Sequence, residues 1–99
     1  MLFAMKMIMI KLTGAPASLA QIKKVTLTMD DDATYAEVIC QLGVQFPALI
    51  GLIIDQDGQT MLSSNMFLVN DQDFVMHGMW SLSPKDGDTL TLISPVTGG

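Results

Sequence analysis

Basic side chains are scarce in this chain. Five Lys and Arg stand against ten Asp and Glu, giving a net charge of −5 over 99 residues, and the five are scattered along the sequence. That argues against a nucleic-acid backbone as partner, because binding phosphates needs lysine and arginine clustered on one face. Charge of either sign is sparse, whereas 49% of residues are hydrophobic, a balance that rules out a disordered chain. Cysteine is nearly absent: Cys40 alone cannot form an intramolecular disulfide, and a single thiol fits a reducing compartment. With one histidine, His77, the chain is too poor in nucleophile, base and orienting group for catalysis, so an enzyme is not expected. No phosphate-binding loop is present to hold ATP. No metal site is expected either, since Asp30-Asp31-Asp32 lacks further ligand-spaced oxygens and reads as negative charge loading the start of a helix. The opening run from Met1 to Ile10 is too short to span a bilayer. It is not read as a secretory signal, because Lys6 and Lys11 fall inside or just beyond the apolar stretch instead of before it. The expectation is a soluble cytoplasmic protein with neither nucleic acid nor membrane as partner and no cofactor bound by the chain itself.

What is present is a set of short periodic segments. The length fits one small domain, expected over residues 1–94, with a flexible tail at 95–99. Nine methionines suit either a filled core or an adaptable surface. From Met5 to Leu12 the chain alternates, with Ile8, Ile10 and Leu12 on one face and Met7, Met9 and Lys11 on the other. Both faces are partly apolar, as in a central strand. Gly14-Ala15-Pro16-Ala17-Ser18 breaks the run and reads as a long, mobile connection to a second strand in which Val25, Leu27 and Met29 point inward. Thr34-Tyr35-Ala36-Glu37 fits a capping box, with Thr34 accepting from the backbone near Glu37 and Glu37 reaching back to the cap. A helix starts there, buries Val38, Ile39, Leu42 and Phe46, and is limited by Pro47.

Beyond Pro47, the stretch to Ile54 admits a short second helix or an extended crossing segment. Asp55-Gln56-Asp57-Gly58 is a turn and Gln59 to Asn65 a loop. Met66 to Val69 is a strand, Asn70 to Asp73 a turn, and Phe74 to Met76 a second short strand. Trp80 and Leu82 are expected to close one end of the core, with His77 in a surface loop. Lys85-Asp86-Gly87-Asp88 is a tight turn that launches Thr89 to Ile93, with Leu90 and Leu92 inward and Thr91 and Ile93 on the opposite face. The first and last strands are the most apolar and belong in the middle of the sheet. Their parallel pairing requires a crossover, which the helical segment supplies. The result is an α+β protein of β-grasp type, a mixed sheet of four to five strands with one main helix packed across it.

The chain closes on Ser94-Pro95-Val96-Thr97-Gly98-Gly99. Glycine has no side chain, so a Gly98-Gly99 pair can enter a channel too narrow for other residues. The carboxylate of Gly99 is then the exposed group suited to activation as an acyl adenylate. A carboxylate is a poor electrophile until its oxygen becomes a leaving group, and without an ATP site of its own the chain must be activated elsewhere.

The order of elements, the helix led by Thr34 and ending near Phe46-Pro47, Phe67-Leu68-Val69-Asn70-Asp71, Lys85-Asp86-Gly87-Asp88 and the closing Pro95-Val96-Thr97-Gly98-Gly99 together resemble the MoaD/ThiS sulfur-carrier family, of ubiquitin-like β-grasp fold. The resemblance implies that Gly99 is adenylated with ATP by a separate E1-like adenylating enzyme and converted to a thiocarboxylate by a sulfur donor. In that reading Pro95, Val96, Thr97 and Gly98 form the segment inserted into the partner, Pro95 stiffening the approach and Val96 anchoring it. It also implies a partner-binding sheet face, here Met7, Met9, Thr91 and Ile93, a surface that a homo-oligomer would equally hide. The Pro-Val-x-Gly-Gly ending looks most like the small subunit of molybdopterin synthase, whose large subunit would accept the sulfur for molybdenum cofactor biosynthesis. A carrier for cysteine or thiamine synthesis, a ubiquitin-like protein modifier, and a β-grasp binding module with an inert tail stay open beside it.

Overall fold

In a computed structural model, which describes residues 4–62 and 64–95, β1 (Met5–Leu12) is followed by α1 (Gly14–Ala20), β2 (Lys24–Asp30) and α2 (Tyr35–Gln45). A 3₁₀ turn at Pro47–Leu49 then leads to β3 (Met66–Val69), β4 (Asp73–Val75) and β5 (Thr89–Ile93). The strands form a single sheet in the order β2-β1-β5-β3-β4. At its centre β1 and β5 run parallel, and every other neighbouring pair is antiparallel. This is the expected β-grasp arrangement, with the two most apolar strands side by side. No described helix is long and apolar enough to cross a membrane.

The core lies between one sheet face and α2. Ile8, Ile10 and Leu12 of β1, Leu27 of β2, Phe67 of β3 and Leu90 and Leu92 of β5 pack with Val38, Ile39 and Leu42 of α2. Each fully buried aliphatic side chain of this kind contributes roughly 1.5–3 kcal/mol. Gly43 closes the far end, for a Cβ there would sit 3.3 Å from the side chain of Ile50. Its missing side chain lets the segment after the 3₁₀ turn approach α2. Of the two alternatives for Pro47 to Ile54, the short helix holds for the first three residues, and beyond them Ile54 bridges to Met61, both buried.

The N-terminus of α2 is closed from two sides. Thr34 Oγ1 accepts from Glu37 N–H at 3.3 Å, the forward half of the expected capping box. The backbone carbonyls of Leu82 and Trp80 accept from Tyr35 and Ala36 N–H, each at 2.9 Å. Such tertiary partners satisfy donors that a helix cannot satisfy internally. Leu82 thus serves through its carbonyl, and its side chain, expected in the core, is 51% exposed. Trp80 is buried, its ring edge-on to Phe67 at 6.2 Å.

The β1–β2 connection also departs from expectation. Residues read as a mobile break form α1, with Pro16 buried. Proline in the first turn of a helix forfeits no hydrogen bond, because the N–H it lacks would have no partner there. The alanines around it favour the helix, which ends at Gln21, in the left-handed region with φ 58° and its N–H bonded to Ala17 O at 2.8 Å. A smaller correction concerns β4, which covers Asp73–Val75 in place of Phe74 to Met76, while Val25 and Phe46 pack against the core as expected and are half-buried.

Lys6 belongs to the core face of β1, where alternation makes it an inward position. Its side chain is 1% exposed, and Nζ donates to Ala33 O at 2.9 Å and Pro84 O at 2.7 Å. The aliphatic stem fills the sheet end of the core while the ammonium fastens the approach to α2 to the loop before β5.

Candidate functional site

β5 carries the segment that leads to the tail, and it is held along both edges. On one side Met9, Ile10, Lys11 and Leu12 are in register with Thr89 to Leu92. On the other, Met66 to Val69 are in register with Ile93 to Leu90. Its start is fixed by side chains. Asn70 Oδ1 accepts from Thr89 N–H at 2.9 Å, Asn70 Nδ2 donates to Asp88 Oδ1 at 2.9 Å, and Asp88 Oδ2 accepts from Lys85 N–H at 2.8 Å. Asp86 Oδ1 accepts from Met7 N–H at 2.8 Å, and Gly87 N–H donates to Met7 O at 2.9 Å. The loop thereby continues the sheet beside β1. Gly87, at φ 85°, takes a conformation that glycine adopts without strain.

Ser94 and Pro95 leave from the end of this strand, Pro95 exposed. They form one wall of an open groove of about 600 Å³, whose other walls are Ala15, Ser18 and Leu19 of α1 and Leu52 and Ile53. The remaining expected tail residues, Val96, Thr97, Gly98 and Gly99, lie outside the described residues.

Met7, Met9, Thr91 and Ile93 share the sheet face opposite α2. Met9 is level with Thr89 and Lys11 with Thr91, so the four run diagonally from Met7, 56% exposed, to Ile93 at the tail end. The apolar surface also spreads where the sequence reading had not placed it. Leu68 faces Thr91 across β3–β5, Phe74 faces Leu68 across β3–β4, and Met66 faces Ile93. Phe74 is 50% exposed. The available signal was the run Met66-Phe67-Leu68-Val69, apolar at both parities like β1 and hence two-faced.

Other chemically capable groups do not converge. Cys40 is exposed on α2, beside a groove lined by Met5, Glu37 and Gln41 among others but no histidine. His77 is exposed in its loop. Among the described residues no three His, Cys, Asp or Glu side chains are placed to hold a metal ion. Burial pushes the Tyr35 hydroxyl above its ordinary pKa, with the charges of Asp88 and Asp73 adding to the shift. Asp57 is held below the usual carboxylate range by the backbone N–H of Gln59 and by Thr60, bonds that shape the turn before Met61.

A five-stranded mixed sheet with a parallel central pair and a helix packed across one face is a ubiquitin-like β-grasp fold. The ThiS family model matches residues 10–99, and the chain belongs to the ThiS family. Small archaeal modifier protein 3 of Haloferax volcanii is 31% identical over 77 residues, 78% of this chain and 82% of that protein. The crystal structure of SAMP1 from Haloferax volcanii superposes with a TM-score of 0.79 at 27% identity, covering 94% of this chain and 99% of that one. A Pyrococcus furiosus structure described as molybdopterin converting factor, subunit 1 reaches a TM-score of 0.67 over 92% of this chain and 99% of that one. Its 18% identity makes it a likeness of fold. The family comprises sulfur carriers and ubiquitin-like modifiers that work with E1-like activating enzymes and acceptor proteins and are not themselves enzymes.

Proposed function

We propose that this protein is a sulfur carrier whose working group is the Gly99 carboxylate. An E1-like enzyme joins that carboxylate to AMP and releases pyrophosphate. Hydrosulfide then displaces AMP and leaves a thiocarboxylate directly; where the nucleophile is instead a donor persulfide, AMP leaves with formation of an acyl disulfide, and a second thiol cleaves its S–S bond, releasing the thiocarboxylate and forming a disulfide with the donor sulfur. Gly98 and Gly99 enter the activating site because they present no side chain, while Pro95 limits the directions in which the segment departs. The observation that carries the reading is the launch of this segment from β5, the strand paired on both edges, together with a family match that extends through residue 99. A tail on a rigid base reaches a partner's active site without first ordering the body behind it.

The destination we propose for the sulfur is the large subunit of a molybdopterin synthase, in the cytoplasm, on the strength of the Pro-Val-x-Gly-Gly ending. A second reading is favoured by the 31% identity to a protein named as a modifier. There the activated carboxylate is passed to a lysine amine of a target, forming an amide and releasing AMP or an enzyme thiol.

The test is the intact mass after incubation with ATP, the cognate activating enzyme and a sulfur donor, beside a variant lacking Gly99. Replacement of one oxygen by one sulfur on the full chain alone is the expected result. An unchanged mass under conditions that activate a known family member would overturn the carrier reading. Adding molybdopterin synthase large subunit with its substrate, or an extract of target proteins, then separates sulfur loss from amide-linked conjugates.

A further inference from the structure

The lysines that look scattered in the sequence are gathered by the fold. β1 runs toward the tail end of the sheet, and its pairing with β2 puts Lys11 opposite Lys24. Lys23, just before Lys24, accepts through its carbonyl from Leu12 N–H at 2.8 Å and so lies at the same strand end at the opposite parity. On its other edge Lys11 is level with Thr91, two positions before the end of β5 at Ile93. All three lysines are exposed.

The carboxylates collect at the other end. Asp30 faces Met5 where β1 begins, and Asp31 and Asp32 follow it. Asp86 bonds Met7, Asp88 precedes β5, and at the same end Asp71 lies in the β3–β4 turn and Asp73 begins β4. Lys11, Lys23 and Lys24 are three of the five basic residues, and these seven aspartates are seven of the ten acidic ones. The molecule is therefore electrically polarised along its strands, positive where the tail departs.

A lysine facing a lysine across two antiparallel strands is repulsive. On its remaining side Lys11 meets Thr91, which carries no charge to offset that repulsion. We propose that Lys11 and Lys24 are the electrostatic half of the surface that docks on the activating enzyme, with Lys23 beside them at the strand end, and that they meet an acidic rim around the opening that receives the tail. The methionine-rich face is the apolar half. The inference rests on the reading of Gly99 as the activated group. A protein rim suits the patch better than a nucleic acid, because an extended polyanion would run on toward the aspartate end. Opposite charges at the two ends also orient the approach, turning the tail toward an acidic partner before contact.

The experiment is pyrophosphate release by the cognate activating enzyme, measured against the concentration of this protein and repeated at several salt concentrations. The variants are Lys11→Glu with Lys24→Glu, the milder Lys11→Gln with Lys24→Gln, and Lys85→Glu at the acidic end as control. The glutamate pair is expected to raise KM about tenfold or more with kcat unchanged, and to abolish the rise of KM with salt. The glutamine pair should shift KM the same way by less, and Lys85→Glu should leave it alone. A KM and salt dependence unchanged in both pairs, or a loss confined to kcat, would overturn the proposal while leaving the carrier reading intact. Absence of pyrophosphate release with the unaltered protein would sink that reading, and the docking surface with it. Salt-sensitive binding of a single-stranded oligonucleotide that the glutamate pair abolishes would reassign the patch to nucleic acid and also overturn the proposal.

Discussion

Asn70 and Asp88, eighteen residues apart, are joined at 2.9 Å, and Asn70 at the same time accepts from Thr89 N–H at 2.9 Å. Asn70 has φ 52°, in the left-handed region, and Asp71 follows at φ 58°. Asparagine tolerates that region better than most residues, so the backbone of one turn aims its amide at the other turn. Asn70→Ala removes both bonds and strains the backbone, and is expected to lower stability by about 2 kcal/mol. Asp88→Ala should cost about 1 kcal/mol, and the double variant less than the sum of the singles. Urea unfolding of the four proteins checks this; strict additivity would mean that the two turns are not coupled.

Lys6 presents a different kind of tie. Lys6→Met keeps the length of the buried stem but leaves the carbonyls of Ala33 and Pro84 without their donor. Relief from burying an ammonium opposes that loss, and the two orphaned acceptors outweigh it, for a net destabilisation of about 1–3 kcal/mol. Lysine acylation read by mass spectrometry gives an independent check. Lys11, Lys23, Lys24 and Lys85 are exposed and should label quickly in the native protein, whereas Lys6 should label only on unfolding.

Where side-chain period alone decides the outcome, the chain was readable: β1, β5 and the Thr34-led helix carry alternation or helical spacing strong enough to place them, and the parallel centre followed. α1 was not, because Pro16 reads as a breaker unless its place in the first turn is already known. Lys6 was passed over because charge argues for the surface, and only the parity of β1 argues for the interior. Leu82 failed for the opposite reason, since hydrophobicity says nothing about a residue used through its carbonyl. On the open face Met7, Met9, Thr91 and Ile93 were assigned by parity within single strands. Parity cannot give the register between strands, and register is what sets Lys11 beside Thr91 and brings Leu68 and Phe74 onto the same face.

Phe74 tests that extended face. It is half exposed and contributes little to the core, so Phe74→Ser should shift stability by no more than about 0.5 kcal/mol. Phe67, its near neighbour in sequence but fully buried, should cost about 3–5 kcal/mol when cut to alanine. If the activating enzyme covers the sheet face as far as β4, Phe74→Ser raises the KM for this protein while the melting temperature stays put. An unchanged KM would confine the contact to β1 and β5.

Tyr35 is the sole tyrosine, so the pH-dependent change in tyrosinate absorbance reports its ionisation alone. Its hydroxyl is pushed above the ordinary 10.0 first by burial and then by Asp88 and Asp73. The sign for stability follows from proton counting. Below pH 10 both native and unfolded chains keep the phenol proton, and Tyr35 adds no pH dependence. Above it the unfolded chain gives up its proton while the native one retains it. Stability therefore falls with rising pH, by at most about 1.4 kcal/mol per pH unit from this group. Tyr35→Phe should remove that component. Asp88→Asn should bring the native midpoint back toward 10.0 without restoring it fully, because desolvation is the larger cause. A native midpoint at or below 10.0 in the unaltered protein would mean that water reaches the hydroxyl, and that this end of the core is more open than the packing of Tyr35 against Phe67 implies.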